Sequence, residues 1–259
     1  MSDQKAEKRS IVSTRGKISL LFLGSLLYLS ACSPHLQVSH SEKKLYPIDQ
    51  NQPVDSSMLA FYRPYKQHLD SQMNKIVATS AIEIEKAKPE GPLNNLMADA
   101  MYEAGKLNHI SFDVAYTNYG GLRIPLPKGD IPLFKVFELM PFENLITTVK
   151  FKGTDMQEFF NYIAQMGGDA ISGARFKIKD KKAVDIFING KPLDLSREYI
   201  VLTSDYMANG GDGGDIFFKA TDRKDYELKL RDALLIYLEG QTKAGKTLNP
   251  QKDGRITIE

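Results

Sequence analysis

The stretch "FDVAYTNYGGLR", residues 112–123, decides how this chain is read. Phe112, Val114 and Tyr116 alternate with Asp113 and Ala115, the two-residue period of a strand whose side chains point to opposite faces. That strand runs into Asn118, the adjacent pair Gly120 and Gly121, and then Arg123. A glycine pair lets the backbone turn sharply and lets another group approach it closely. Arginine offers a planar fork of donors that suits phosphate or carboxylate. An oxyanion pocket has this make-up, and so does an ordinary loop with a solvated Arg123.

A second stretch of the same kind, "DYMANGGDGGDIF", residues 205–217, follows the apolar strand pattern of Arg197 to Thr203. Ligands of open α/β sheets gather where strands end, so two such loops fit a shared cleft; two unrelated surface loops fit as well.

Working outward, Met58, Leu59, Tyr62, Tyr65, Leu69, Met73 and Ile76 recur at helical spacing after Asp55 or Ser56, with Pro64 placed to kink that helix. A strand is expected over 77–84. A second helix covers Leu93 to Ala104 and stops at Gly105, and a third covers Thr154 to Met166 and stops at Gly167 and Gly168. Leu145 to Phe151, 174–179, 184–188 and Arg255 to Ile258 read as strands, Asn189-Gly190 as a hairpin turn, and Arg231 to Glu239 as a helix. Helices and strands alternate irregularly and no repeat is present. The expected fold is α/β, of mixed α+β character: a single domain with a mixed sheet flanked by helices.

The beginning of the chain reads as an address. Lys5, Lys8, Arg9, Arg15 and Lys17 precede the apolar run Ile18 to Leu29, which is shorter than the roughly 20 residues of a spanning helix. The run ends in Leu29-Ser30-Ala31-Cys32, which resembles a bacterial lipobox, where the cysteine is lipidated. Cys32 is the sole cysteine, so no disulfide forms within the chain, and a lipid anchor gives that thiol a role. A simple cleaved secretion signal and an uncleaved anchor are the competing readings. Residues 1–31 are thus the expected lipoprotein leader, 32–57 a polar tether and 58–259 the domain, exported to the periplasmic or cell-surface face and held to the membrane only through Cys32.

Of 34 basic and 32 acidic side chains, the leader takes five and two, leaving 29 and 30 and a formal charge of −1. The sequence pI of 8.4 therefore belongs mostly to the leader. No basic excess remains to suggest a nucleic-acid polymer as partner.

Six pieces stand in order within the span from Val77 to Ile258: Asn94 to Ala100, Asn118 to Arg123, Met140 to Asn144, Lys152-Gly153, Ser172-Gly173, and Tyr206 to Gly213. Read together, they resemble the C-terminal, substrate-binding domain of the 5'-nucleotidase family. The resemblance implies a nucleotide or nucleoside ligand whose base lies between two aromatic rings, here Phe142 and Tyr206. Base-on-ring stacking is worth about 1–3 kcal/mol and tolerates different bases. It further implies that Asn118 bonds the base, that Asp212 accepts from ribose hydroxyls, and that Arg123, with Gly120 and Gly121 beside it, grips phosphate. Taken without the family pattern, Phe142 and Tyr206 would be core aromatics and Asp212 a turn residue.

Three departures stand out. Family members usually carry Phe where this chain has Tyr206. Arginines that hold phosphate commonly precede the Asn-Leu-Met-Ala-Asp-Ala stretch, where this chain has Glu85-Lys86-Ala87-Lys88-Pro89-Glu90, so Lys86 or Lys88 would have to act as a point charge. The family's dinuclear metal site lies in an N-terminal domain, and none of His35, His40, His68 and His109 sits in a matching arrangement. No catalytic residue, metal ligand or cofactor is therefore assigned to this chain, and the divalent metal pair is expected on a separate metallophosphatase partner. Three readings follow: the recognition half of a split 5'-nucleotidase, a lipoprotein that binds nucleosides or nucleotides without catalysis, or a structural remnant.

Overall fold

A computed structural model describes residues 38, 40–47, 49 and 53–259. The leader and Cys32 lie outside the described residues. Asp55–Glu259 forms one compact unit, and the described residues before it carry no helix or strand.

The unit opens with α1, Ser56–Met73, whose first turn is capped by the Asp55 carboxylate accepting from the backbone N–H groups of Ser57 and Met58. The helix runs through Pro64 and none of its residues is buried. Strand β1 covers Ile76–Ser80, ending four residues before the expected boundary, and Ile84 contributes only an isolated bridge to Leu126. Helix α2, Pro92–Leu107, starts at a proline, whose fixed φ suits a first helical turn, and buries Leu93, Met97, Met101 and Ala104.

The central sheet has five strands in the order β10–β4–β9–β2–β5: Asp222–Lys229, Leu145–Lys152, Glu198–Ser204, Val114–Thr117 and Ala170–Ser172. The β2–β9 pair is parallel and the other pairs are antiparallel, so the sheet is mixed as the sequence suggests. Both faces are covered. Ala115, Ile146 and Leu202 point to a core shared with α2 and with α6, Leu230–Lys243. Val114, Tyr116, Val149, Phe151 and Val201 point to the opposite core, where α4, Gly153–Gln165, inserts Met156, Phe159, Phe160 and Ile163. The second core also packs against a four-stranded sheet of order β11–β6–β7–β8: Ile256–Ile258, Ala174–Lys179, Lys182–Ile188 and Lys191–Pro192. A short pair of β1 with β3, Gly129–Pro132, leads into α3, Leu133–Leu139.

This arrangement leaves the ends of β2 and β9 side by side. The two glycine loops that follow those strands, and the turn between α3 and β4, therefore meet.

Candidate functional site

The first loop begins one residue beyond β2. Asn118 is only 7% exposed, and its Nδ2 donates to Oδ2 of Asp212 in the second loop at 2.6 Å. Asp212 has φ 52° and ψ 31°, the left-handed region that Asp tolerates better than most residues. Three further contacts hold it there. The Tyr206 hydroxyl donates to its Oδ1 at 2.8 Å, its own N–H reaches the same hydroxyl oxygen at 3.2 Å, and the Tyr162 hydroxyl donates to its carbonyl at 3.3 Å. Burial pushes the Tyr162 phenol up to about 12.

The glycine pair of the first loop is explained by this junction. A Cβ on Gly120 would lie 3.1 Å from Oδ2 of Asp212, and one on Gly121 would lie 3.0 Å from Oδ1 of Asn118. The absent side chains let the amide and the carboxylate settle directly on the backbone.

From below, Asp169 fixes the same loop: its carboxylate accepts the Tyr119 N–H at 2.9 Å and the Tyr116 hydroxyl at 3.0 Å. Burial raises the Asp169 carboxyl to about 6, against the opposing pull of the Tyr119 N–H, the Lys88 charge and the Tyr116 hydroxyl. Lys86 donates from Nζ to the carbonyls of Leu122 at 2.6 Å and Tyr119 at 3.2 Å; burial, then Arg123 and Lys88, lower its pKa. Lys88 donates to the Met166 carbonyl. The two lysines offered by the sequence as point charges for phosphate thus brace backbone, and neither borders the cleft.

One wall is the Pro141–Phe142 turn. Arg231, in the first turn of α6 and 6% exposed, donates from Nη1 to the carbonyls of Met140 at 3.3 Å and Phe142 at 3.5 Å, and pairs with Glu143 through Nη2. Its guanidinium lies 4.1 Å from the Phe137 ring centre. Hydrogen bonds from Lys229 and Arg231 hold the Glu143 carboxyl at about 2. Phe142 itself stays 42% exposed.

A second wall includes Tyr206, on the short helix α5, Asp205–Ala208, with 44% of its surface exposed. Its ring lies against Gly211, where a Cβ would sit 2.3 Å from the ring. Between the walls is a cleft of about 270 Å³. All seven residues singled out by the sequence border it: Phe142 and Tyr206 as rings, Asn118 and Asp212 as the paired polar floor, Gly120, Gly121 and Arg123 along one side. Arg123 is exposed, makes a long 3.4 Å contact to the Gly120 carbonyl, and places its guanidinium carbon 6.0 Å from the Phe142 ring centre.

Met140, Asn144, Ser204 and Leu230 also border the cleft and were not singled out. Ser204 sits one residue past the expected strand end and caps α5, its Oγ accepting from the Met207 N–H at 3.2 Å. Arg231 carries no local signal, because its partners are about 90 residues away in sequence.

Among the described residues no group of three or more His, Cys, Asp or Glu side chains is placed to hold a metal ion. The donor set thus does not fit a dinuclear metal centre, and no metal-assisted step is placed on these residues. Among them, too, no helix is long and apolar enough to cross a membrane.

Fold and cleft define a class: a mixed α/β domain whose cleft is lined by two exposed aromatic residues and by an amide bonded to a carboxylate. The profile of the family described as "5'-nucleotidase, C-terminal domain" matches residues 72–222, and the chain belongs to that family. A 5'-nucleotidase of Vibrio parahaemolyticus is 31% identical over 169 residues, covering 61% of this chain and 29% of the relative. Protein UshA of Escherichia coli is 27% identical over 180 residues, covering 67% of this chain and 32% of the relative. The crystal structure of a 5'-nucleotidase precursor from Thermus thermophilus superposes with a TM-score of 0.65 at 25% identity, over 78% of this chain and 42% of that one. The chain spans about three tenths of the length of these curated relatives.

Proposed function

We propose that this chain is the nucleotide- or nucleoside-recognition half of a split 5'-nucleotidase, completed by a separate metallophosphatase chain that supplies the divalent metal pair. The observation that carries the reading is the single cleft in which Phe142 and Tyr206, both more than two-fifths exposed, flank the Asn118–Asp212 pair. Large aromatic residues left open to water in one cleft suit a flat heterocycle, and each stacked base is worth about 1–3 kcal/mol. In this reading the base enters between the rings and is bonded by Asn118, ribose hydroxyls donate to Asp212, and Arg123 meets the phosphate. The Leu29-Ser30-Ala31-Cys32 sequence supports an exported lipoprotein, with 1–31 as leader, 32–57 as tether and Cys32 as the lipidated residue at the periplasmic or cell-surface face.

The test is structural and enzymatic. Soaks with AMP and with adenosine are expected to place the base between Phe142 and Tyr206; a base seated elsewhere, or no binding at millimolar ligand, overturns the recognition role. Hydrolysis of AMP is expected only when a metallophosphatase chain is added. Tight adenosine binding with no partner able to confer hydrolysis would favour the second reading, a lipoprotein that captures nucleosides or nucleotides without catalysis. That reading draws on the cleft being complete within this chain's own residues.

A further inference from the structure

The hydroxyl of Tyr206 has no part in a stacking surface, yet it makes two hydrogen bonds to Asp212. It donates to Oδ1 of Asp212 at 2.8 Å and accepts the Asp212 N–H at 3.2 Å, while the ring rests on Gly211. The other carboxylate oxygen, Oδ2, takes the Asn118 amide at 2.6 Å. A carboxylate has about four acceptor directions. One on each oxygen is thus occupied by a protein donor, and one on each remains. The Asp212 side chain is exposed and would rotate in the absence of the two donors; with them, the orientation of its carboxylate is fixed.

We propose that Tyr206 is a positioning residue as well as a ring: its hydroxyl orients the Asp212 carboxylate so that the site selects a sugar carrying two neighbouring hydroxyls over a deoxy sugar. The inference rests on the nucleoside reading above and deepens it, by assigning the sugar selectivity to the hydroxyl that distinguishes Tyr206 from phenylalanine. Two fixed acceptors on one carboxylate match two donors on adjacent ring carbons. A mobile carboxylate captures one of them nearly as well as both, because it must lose its own rotational freedom on binding.

The test compares adenosine with 2'-deoxyadenosine by calorimetry, in the full chain and in Tyr206→Phe. The unmodified protein is expected to favour adenosine about tenfold, the scale of one hydrogen bond to a charged group. Tyr206→Phe keeps the ring, so 2'-deoxyadenosine affinity stays within about twofold, while the preference for adenosine falls to about threefold or less. A Tyr206→Leu control, lacking ring and hydroxyl, is expected to weaken both ligands. If Tyr206→Phe retains the full preference, the positioning role is overturned and the nucleoside site stands. If the unmodified chain binds neither nucleoside, the functional reading itself fails. A melting temperature for Tyr206→Phe close to that of the parent confirms that the comparison is made between folded proteins.

Discussion

The two walls of the cleft are built in opposite ways. Phe142 is positioned through its backbone: the buried Arg231 grips the Met140 and Phe142 carbonyls, while the ring has the Arg123 guanidinium 6.0 Å from its centre. Tyr206 is positioned through its side chain, with the ring on Gly211 and the hydroxyl on Asp212. A ring placed by its backbone keeps the freedom of its own side-chain torsions, and a ring pinned at both ends does not. The cleft therefore has one adaptable wall and one fixed wall, and substitutions on the two sides should have different signatures.

The largest effect is expected at the buried brace. Arg231→Met keeps an apolar stem over Phe137 but leaves the Met140 carbonyl short of its donor in a buried setting, which costs about 2–3 kcal/mol of stability. Urea unfolding measures it. Nucleoside affinity should fall together with stability, because the Phe142 turn loses its anchor. Unchanged stability would mean that the turn is held by other contacts and that the contrast between the walls is overdrawn.

Next is the support beneath the first glycine loop. Asp169 has its carboxyl raised from 3.8 to about 6 by burial, so the folded state holds its proton more tightly than the unfolded chain does. Stability from this group is present at low pH and declines as pH rises through that window. Between pH 4.5 and pH 7 the decline is about 2 kcal/mol. Glu143, lowered to about 2, runs the other way but acts mostly below pH 4.5. Asp169→Asn should abolish the decline, so the difference between variant and parent must change by about this amount across the range. A constant difference would show that Asp169 ionises normally.

Third are the rings. Phe142→Ala should weaken nucleoside binding by about 1.5 kcal/mol, within the stacking range, with little change in melting temperature because the residue is 42% exposed. Tyr206→Ala should cost more in binding than Phe142→Ala, since it also frees Asp212. Equal losses would remove the distinction between the two walls.

The extent to which this design was legible in the sequence follows from the range of each interaction. The alternation Val114, Ala115, Tyr116 correctly marked a strand, and both faces of it proved buried. Strand β10, "DRKDYELK", carries no such period because it is the edge of the sheet and mostly exposed, where charged side chains guard an unpaired rim. Helix α1 forms where the helical spacing of Met58, Tyr62, Tyr65 and Leu69 places it, yet all four are exposed, since periodicity reports an apolar stripe and not what covers it. The seven cleft residues were found through the order of motif pieces along the chain. Asp169 and Arg231 were missed because their roles depend on partners tens of residues away, which no local pattern encodes.

The smallest expected effect falls on Arg123, and it separates two things that this side chain is placed to do. Its guanidinium is exposed and 6.0 Å from the Phe142 ring centre, close enough to favour that ring's orientation by about 0.5–1 kcal/mol. It is also the arginine that borders the cleft, so a phosphate on the sugar would meet it first. Arg123→Ala should cost AMP about 1 kcal/mol, near fivefold, a value reduced by solvent screening, and should leave adenosine almost unchanged. Raising the salt concentration should shrink the AMP effect, because exposed charges are screened over about 10 Å at 0.1 M. An equal loss for adenosine and AMP would assign Arg123 to the adaptable wall, as a prop for Phe142. In that case phosphate recognition would have to come from residues outside this cleft, such as those of the metallophosphatase chain proposed above.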